Sequence, residues 1–393
     1  MSLFLVGFTY TLTFFSYYGT QRTILESDIL LTSYDLARRD SDILKNVRID
    51  CLIIDEAQRI KNSDTNIAKT LKSFKAKYKM ALSGTPVENN LSELWNLFDF
   101  TLPKYLKSLK DFTKNYAQDI EINKDREKIK KLKQITAPFM LRRLKTDKSI
   151  IDDLPDKIVV DEYATMTKEQ ASLYKSVVNE SMKRLEEGDA KGLIFKLIIS
   201  LKQICNHPRN FDKKSPLKKE LSGKSELLLT ILDTILQKDE KVLIFTQYVE
   251  MGNILTKLIQ EELYTEPLYL KGDMSKKHRE ETVEKFQTDS RYKIFILSLK
   301  AGGTGLNLTA ANHVIHYDLW FNPAVENQAT DRAFRIGQTK KVTVHRFITK
   351  NSFEEKIDKM IQAKKELSDL SVNIGESWLK DMDIEEIKSV FKG

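Results

Sequence analysis

Short apolar runs that end in a polar or glycine-rich turn, each followed by a longer stretch of helical periodicity, recur through both ends of the chain. That alternation predicts parallel strands joined by helical crossovers, an α/β fold class. In the first part, residues 29–32 and 51–54 read as strands, and residues 79–82 form a third that runs into Ser83-Gly84-Thr85-Pro86. In the second part, residues 242–245, 267–270, 294–297, 313–316 and 342–346 repeat the pattern. Between these blocks, residues 91–238 are helix-rich, with charge runs such as Lys124-Asp125-Arg126-Glu127-Lys128 expected on solvated helix faces. The Lys-rich stretch 211–224 reads as a linker or exposed loop, and His313, His316 and His345 as structural residues.

Residues 2–18 are apolar and aromatic but have no Lys or Arg ahead of the run and no small-residue cleavage site, which argues against a signal peptide. Thr9, Thr11, Thr13 and Ser16 interrupt the run before it reaches the roughly 20 apolar residues of a membrane span. Its alternation fits a strand at the start of a truncated chain.

At 393 residues with 41% hydrophobic content, the chain has material for two or three domains with real cores. Lys and Arg number 64 against 56 Asp and Glu, a formal charge of +8 that favours a polyanionic partner. The two cysteines, Cys51 and Cys205, stand far apart, and His207 alone near Cys205 cannot make a four-ligand metal site. Both are expected as reduced, buried thiols in a reducing compartment.

Four segments carry chemistry. The apolar run 51–54 ends in the adjacent carboxylates Asp55 and Glu56. Ligands of parallel sheets bind at the carboxyl edge, where one acid can hold Mg²⁺ and its neighbour can polarise a water. Asp55 takes the metal role and Glu56 the base role. Ser83 and Thr85 follow the next strand and bring two hydroxyls towards that edge. The run 298–307, Ser-Leu-Lys-Ala-Gly-Gly-Thr-Gly-Leu-Asn, places Gly303 and Gly305 where backbone can approach a ligand closely. Arg332 and Arg335, three residues apart, are expected on one helix face, where a pair can reach one anion and stabilise the charge of phosphoryl transfer.

These blocks, in this order, resemble the SWI/SNF-like branch of the superfamily-two helicases and DNA translocases over roughly residues 29–356. Asp55-Glu56-Ala57-Gln58-Arg59-Ile60-Lys61-Asn62 looks like that branch's acidic motif. Residues 83–86, Leu141-Arg142-Arg143, Cys205-Asn206-His207-Pro208 and residues 328–338 also match. The resemblance implies two RecA-like parallel-sheet lobes with helical insertions, ATP in the cleft and double-stranded DNA across both lobes. It implies that Asp55 and Glu56 serve Mg²⁺ and hydrolysis and that Ser83 and Thr85 couple hydrolysis to DNA. By the same carry-over Gly303 and Gly305 line the cleft, while Arg332 and Arg335 are arginine fingers that contact ATP. Trp320 would share in coupling and DNA contact, although the family's Trp-Asn-Pro stands here as Trp320-Phe321-Asn322-Pro323.

Compactness resembles a bacterial member, cytoplasmic and nucleoid-associated, acting on protein-DNA complexes. The division expected is a first lobe with a helical insertion over 1–150, a helical insertion or linker over 151–238, a second lobe over 239–370 and a helical tail over 371–393. The family's Gly-Lys-Thr or Gly-Lys-Ser loop has no counterpart before Ile29, so the first lobe is expected to be incomplete, with the missing segment upstream. Gly223-Lys224-Ser225 is a poor substitute: Lys218 stands where the loop's first glycine belongs, and no strand precedes it. The chain alone is therefore expected to turn over ATP poorly. The alternative is a non-catalytic DNA-binding remnant of such a motor.

Overall fold

Parallel strand pairs frame the first part of the chain. β1 (Phe14–Ser16) lies beside β2 (Ile29–Leu31), and β3 (Ile49–Ile54) beside β4 (Ala76–Ala81). This is seen in a computed structural model that describes residues 13–17, 24, 26–84, 87, 90–123, 125–141, 143, 154–187, 192–298, 306–367 and 391. The chain divides into two units between residues 141 and 142.

In the first unit, alternation along β3 turns Leu52 and Ile54 inwards, onto a core with Ala57, Ile60, Leu71, Phe74 and Phe100. Cys51 and Ile53 take the opposite face. Cys51 is therefore exposed, which corrects the expectation of a buried thiol. The helix Leu91–Thr101 separates two cores. Leu97 and Phe100 join the sheet-side cluster, whereas Leu94, Trp95 and Phe98 pack with Phe112, Ile120 and Leu132 of the helical insertion.

The second unit is built on six parallel strands. These are β5 (Lys157–Ala164), β6 (Val242–Thr246), β7 (Leu268–Leu270), β8 (Ile294–Ser298), β9 (His313–His316) and β10 (Val342–Thr349), in the order β5-β10-β9-β6-β8-β7. Every residue of β6 and β8 is buried. Val242 and Ile244 face the helices Gly223–Gln237 and Val249–Leu263, and Leu243 and Phe245 face Phe286, Leu308 and Phe334. A parallel sheet covered on both faces requires such uninterrupted apolar runs. A third cluster packs the helices Lys168–Glu186 and Leu193–Asn206 against Phe353–Leu367.

β5 has no counterpart among the strands expected from sequence. It is an edge strand, seven of its eight residues are partly or fully exposed with Asp161 and Glu162 among them, and its apolar run is correspondingly short. Arg346 of β10 binds it in place, with its guanidinium 2.6 Å from Asp161, 2.5 Å from Asp358 and 3.3 Å from Glu326. Burial works against that charge, but Glu326, Asp358 and Asp161 outweigh it and raise the Arg346 pKa. A second tie runs from Glu240 through the paired rings of His313 and His345 to Glu162. These two histidines are structural, as expected. The stretch 211–224 does not end as an exposed linker, because Ser222 and Lys224 are buried.

Candidate active site

Asp55 follows the last residue of β3, and Glu56 follows it with φ 51° and ψ 51°. A left-handed conformation at a glutamate costs of order 1 kcal/mol or more and persists only where surrounding contacts impose it. Here they do. Leu82 donates its backbone N–H to Ile54 O at 2.8 Å, and Ala57 donates to Leu82 O at 2.9 Å, so the end of β4 clasps the turn on both sides. Tyr34 Oη donates to Asp55 O at 2.6 Å, and Arg59 covers its ring at 5.4 Å. Burial, then the Asp55 charge, pushes the Tyr34 hydroxyl up to about 12, so it stays a donor at any ordinary pH.

The strain re-aims the second carboxylate. Glu56 Oε2 accepts from Gln58 Nε2, and Gln58 Oε1 accepts from Ser83 Oγ at 3.0 Å. The carboxylate is thus wired through one amide to the first hydroxyl of the Ser-Gly-Thr-Pro turn. Asp55 is exposed and offers hard oxygen ligands at a strand's carboxyl end, which suits Mg²⁺. No group of three or more His, Cys, Asp or Glu that could hold a metal exists among the described residues. Thr85, Gly303 and Gly305 lie outside the described residues.

In the second unit, the carboxyl ends of β6 and β9 converge on Asp318, which is wholly buried. Its carboxylate accepts from Thr246 Oγ1 at 2.6 Å, Gln247 N at 3.0 Å and Asn206 Nδ2 at 3.1 Å. Burial raises its pKa against these bonds. Lys202 Nζ reaches Gln247 Oε1 at 3.2 Å and sits 4.3 Å over the ring of Phe321. Sequence reasoning missed Asp318, a lone acid two residues after an apolar strand without the adjacent second carboxylate that singled out Asp55. Trp320 lies two residues on; its backbone N–H donates to Glu326 Oε1 at 2.9 Å, and its indole Nε1 is buried without a hydrogen-bond partner among the described residues.

The arginines depart from expectation. The helix Pro323–Thr330 ends before them, capped by Asp331, whose N–H donates to Asn327 O and Ala329 O. Arg332 and Arg335 therefore lie in the following turns and not on one helix face. Gln338 holds these turns by donating from Nε2 to Thr309 O, Ala311 O and Ala333 O, and Gly337 takes φ 96° to let the chain return. Arg332 is buried and its carbonyl accepts from Leu308 N, while Arg335 Nη1 donates to Leu306 O at 3.0 Å. Both are thereby fixed beside the end of the glycine-rich run.

Gly223-Lys224-Ser225 opens the helix Gly223–Gln237 and faces inwards. Lys224 Nζ is 2.9 Å from Glu354 Oε2 and donates to Tyr317 O at 3.1 Å, with no exposure at either side chain. It is committed to the core. His207 likewise is a helix cap, accepting from Arg209 N at 3.0 Å and bonded to Lys218 O.

In the first unit an acidic pair ends a parallel strand and is wired to Ser83; in the second, the turns after the parallel strand β9 and its helix fix two arginines. Residues 16–210 match the SNF2-related domain and residues 223–337 the helicase conserved C-terminal domain. The SWI2/SNF2 ATPase core of Sulfolobus solfataricus, solved in complex with dsDNA, is 41% identical with a TM-score of 0.55, covering 96% of this chain and 81% of that one. The chain belongs to the SNF2 family of ATPases, with the RecA-like α/β fold of that family. YwqA of Bacillus subtilis, described as an ATP-dependent helicase/translocase, is 45% identical over 93% of this chain. The human SWI/SNF-related matrix-associated actin-dependent regulator of chromatin subfamily A member 1 is 34% identical over 89% of it. The chain spans 40% of the first of these relatives and 34% of the second. No helix among the described residues is long and apolar enough to cross a membrane.

Proposed function

We propose that this chain supplies the hydrolytic and transducing parts of an ATP-driven motor that moves along double-stranded DNA and displaces proteins bound to it. The observation that carries the reading is the strained Glu56 joined through Gln58 to Ser83, because it gives a hydrolytic base a direct mechanical link to a neighbouring element. In this reading Asp55 holds Mg²⁺, and Glu56 takes the proton of the attacking water. Arg332 and Arg335 balance charge that develops on the γ-phosphate, and Gly303 and Gly305 contribute backbone to the nucleotide cleft. Bound Mg²⁺-ATP supplies the phosphoanhydride; the chain's residues orient the water and receive its proton. Ser83, Thr85 and Trp320 transmit the state of the nucleotide to DNA. Double-stranded DNA as track is supported by the archaeal relative solved with it and by the charge of +8.

A second reading has a specific observation in its favour. The sole Gly-Lys-Ser or Gly-Lys-Thr run in the sequence is Gly223-Lys224-Ser225, whose lysine is buried in an ion pair. We infer that residues 1–393 by themselves lack a lysine cradle for the β- and γ-phosphates and hydrolyse ATP little, so that alone the chain acts as a DNA-binding module. A cytoplasmic, nucleoid-associated protein of bacterial type fits either reading.

ATP hydrolysis measured with and without duplex DNA separates them. The samples are this chain, this chain fused to the Gly-Lys-Thr-bearing segment of a relative, and the fusion carrying Glu56→Gln. Turnover only in the Glu56-intact fusion supports the motor; salt-sensitive DNA binding with no turnover in any sample supports the module.

A further inference from the structure

A basic, aromatic-lined pocket opens in the helical insertion of the first unit, away from Asp55 and Glu56 in sequence and in element. Its volume is about 420 Å³ and it is lined by Tyr105, Lys107, Asn115, Tyr116, Lys128 and Lys131 among others, with no acidic residue in the lining. That volume lies within the range of small-ligand sites.

Three features make this more than a gap between helices. The first is charge. Lys128 is paired with Asp119, but Lys107 and Lys131 have no ion-pair partner among the described residues. Asp111, whose carboxyl the Lys107 charge helps to hold low, is already occupied by the Ser108 hydroxyl at 2.6 Å. Two exposed lysines thus border one space, with the charge of Asp111 within reach of Lys107. The second is the wall that holds them. Residues Thr113–Ala117 form a π-helical turn, a widened geometry that is rare and concentrates at functional sites, and it carries Asn115 and Tyr116 to the pocket. The third is the entry loop. Lys104 and Lys107 both take positive φ, 69° and 61°, and the Lys107 carbonyl is pinned by Trp95 Nε1 at 3.2 Å. The lysine backbone is held in place before any ligand arrives.

The acceptor chemistry that satisfies ammonium groups beside an amide and phenol rings is a phosphate ester whose sugar lies against an aromatic face. We propose that this pocket binds one phosphate group of a nucleic acid backbone, giving the helical insertion its own foothold on DNA, separate from the hydrolytic residues. The inference rests on the DNA-tracking reading, but the pocket chemistry would serve a free phosphate or mononucleotide equally, and the test separates the two.

The variants are Lys131→Glu, Lys107→Ala with Lys131→Ala, and Lys131→Arg, with Lys257→Glu on the helix Val249–Leu263 of the other unit as a charge control. Each is read first as affinity for a short duplex over a series of potassium chloride concentrations. Because each neutralised phosphate contributes about 0.9 to the slope of log affinity on log salt, the double variant, which loses one phosphate contact, should lose about 0.9 from it. Lys131→Glu should weaken binding several-fold more than the control, and Lys131→Arg should restore it. The second readout is calorimetric titration of wild type and double variant with inorganic phosphate and with AMP. An unchanged duplex slope together with loss of phosphate or AMP binding supports the phosphate site and assigns it to a free ligand. Wild-type duplex binding with unchanged slopes and no phosphate or AMP binding overturns the inference while leaving the DNA reading intact. No duplex binding by the wild type sinks the DNA reading, and the titrations then decide the pocket alone.

Discussion

Lys224 Nζ and Glu354 Oε2 are 2.9 Å apart with both side chains fully buried, 130 residues apart in sequence. The pair joins the first turn of the helix Gly223–Gln237 to that of Phe353–Leu367, and Glu354 also accepts from Thr349 N at 3.0 Å. Removing one member leaves a buried charge without its counterpart, which typically costs about 3–5 kcal/mol, whereas replacing both by apolar residues is often near neutral. Lys224→Met should therefore lower the urea midpoint of the second unit strongly, and Lys224→Met with Glu354→Leu should regain most of the loss. A single variant as stable as the parent would sink this account.

Gly223 adds a steric constraint at the same place. A Cβ built there would stand 1.9 Å from the Thr165 carbonyl oxygen, a backbone atom that cannot swing aside. Gly223→Ala is expected to destabilise the second unit by about 1–3 kcal/mol, the usual range for overpacking, and differential scanning calorimetry measures it. Gly192, with open space around it but φ 76°, is the contrasting position.

The chain Glu56–Gln58–Ser83 predicts a separation of effects. Gln58→Ala removes the amide between Glu56 and Ser83 and keeps the Glu56 carboxylate, so basal ATP turnover in an active fusion should fall by less than about tenfold, while stimulation by duplex DNA collapses. Glu56→Gln should abolish both. Stopped-flow phosphate release with and without DNA reads the two rates, and equal losses in Gln58→Ala would show the amide to be part of the chemistry alone.

Acid should loosen the second unit through its neutral histidines. Burial, then the charges of Arg346 and Lys157, pushes His316 down from 6.5 to about 3, and burial also lowers His207 and His313. The unfolded chain binds a proton at His316 that the folded chain refuses, so this contribution is complete above about pH 6.5 and is lost progressively towards pH 3. Its slope is at most about 1.4 kcal/mol per pH unit. Asp318 and Glu326, raised by burial, act in the opposite sense, so the comparison must be between variants. His316→Gln should flatten the fall in melting temperature between pH 6.5 and 5; an unaltered slope would contradict it.

Strand reading succeeded where burial is complete. β6 and β8 are buried throughout and apolar over residues 242–245 and 294–297, so an uninterrupted run was enough to find them. β5 escaped because it lies at the sheet edge and carries Asp161 and Glu162, charges whose partners Arg346 and His345 are some 180 residues distant and invisible to any local window. Asp55 and Glu56 were legible as acids closing an apolar strand, yet the left-handed turn that directs Glu56 towards Gln58 is set by hydrogen bonds from the end of β4. The arginine pair had the spacing of a helix face, but the capping at Asp331 and the bonds of Gln338 decide otherwise. Local composition locates charged groups well; it does not carry the long-range bonds that orient them.

The pairing of β5 with β10 has a consequence for synthesis. Asp161 and its partner Arg346 are 185 residues apart, so β5 leaves the ribosome long before the strand that completes it. At roughly 5–20 residues per second that interval is about 10–40 s. Throughout it, Ile158, Val159 and Val160 wait without β10, the strand they pair with, and the nascent chain must be guarded from neighbours until that strand is made.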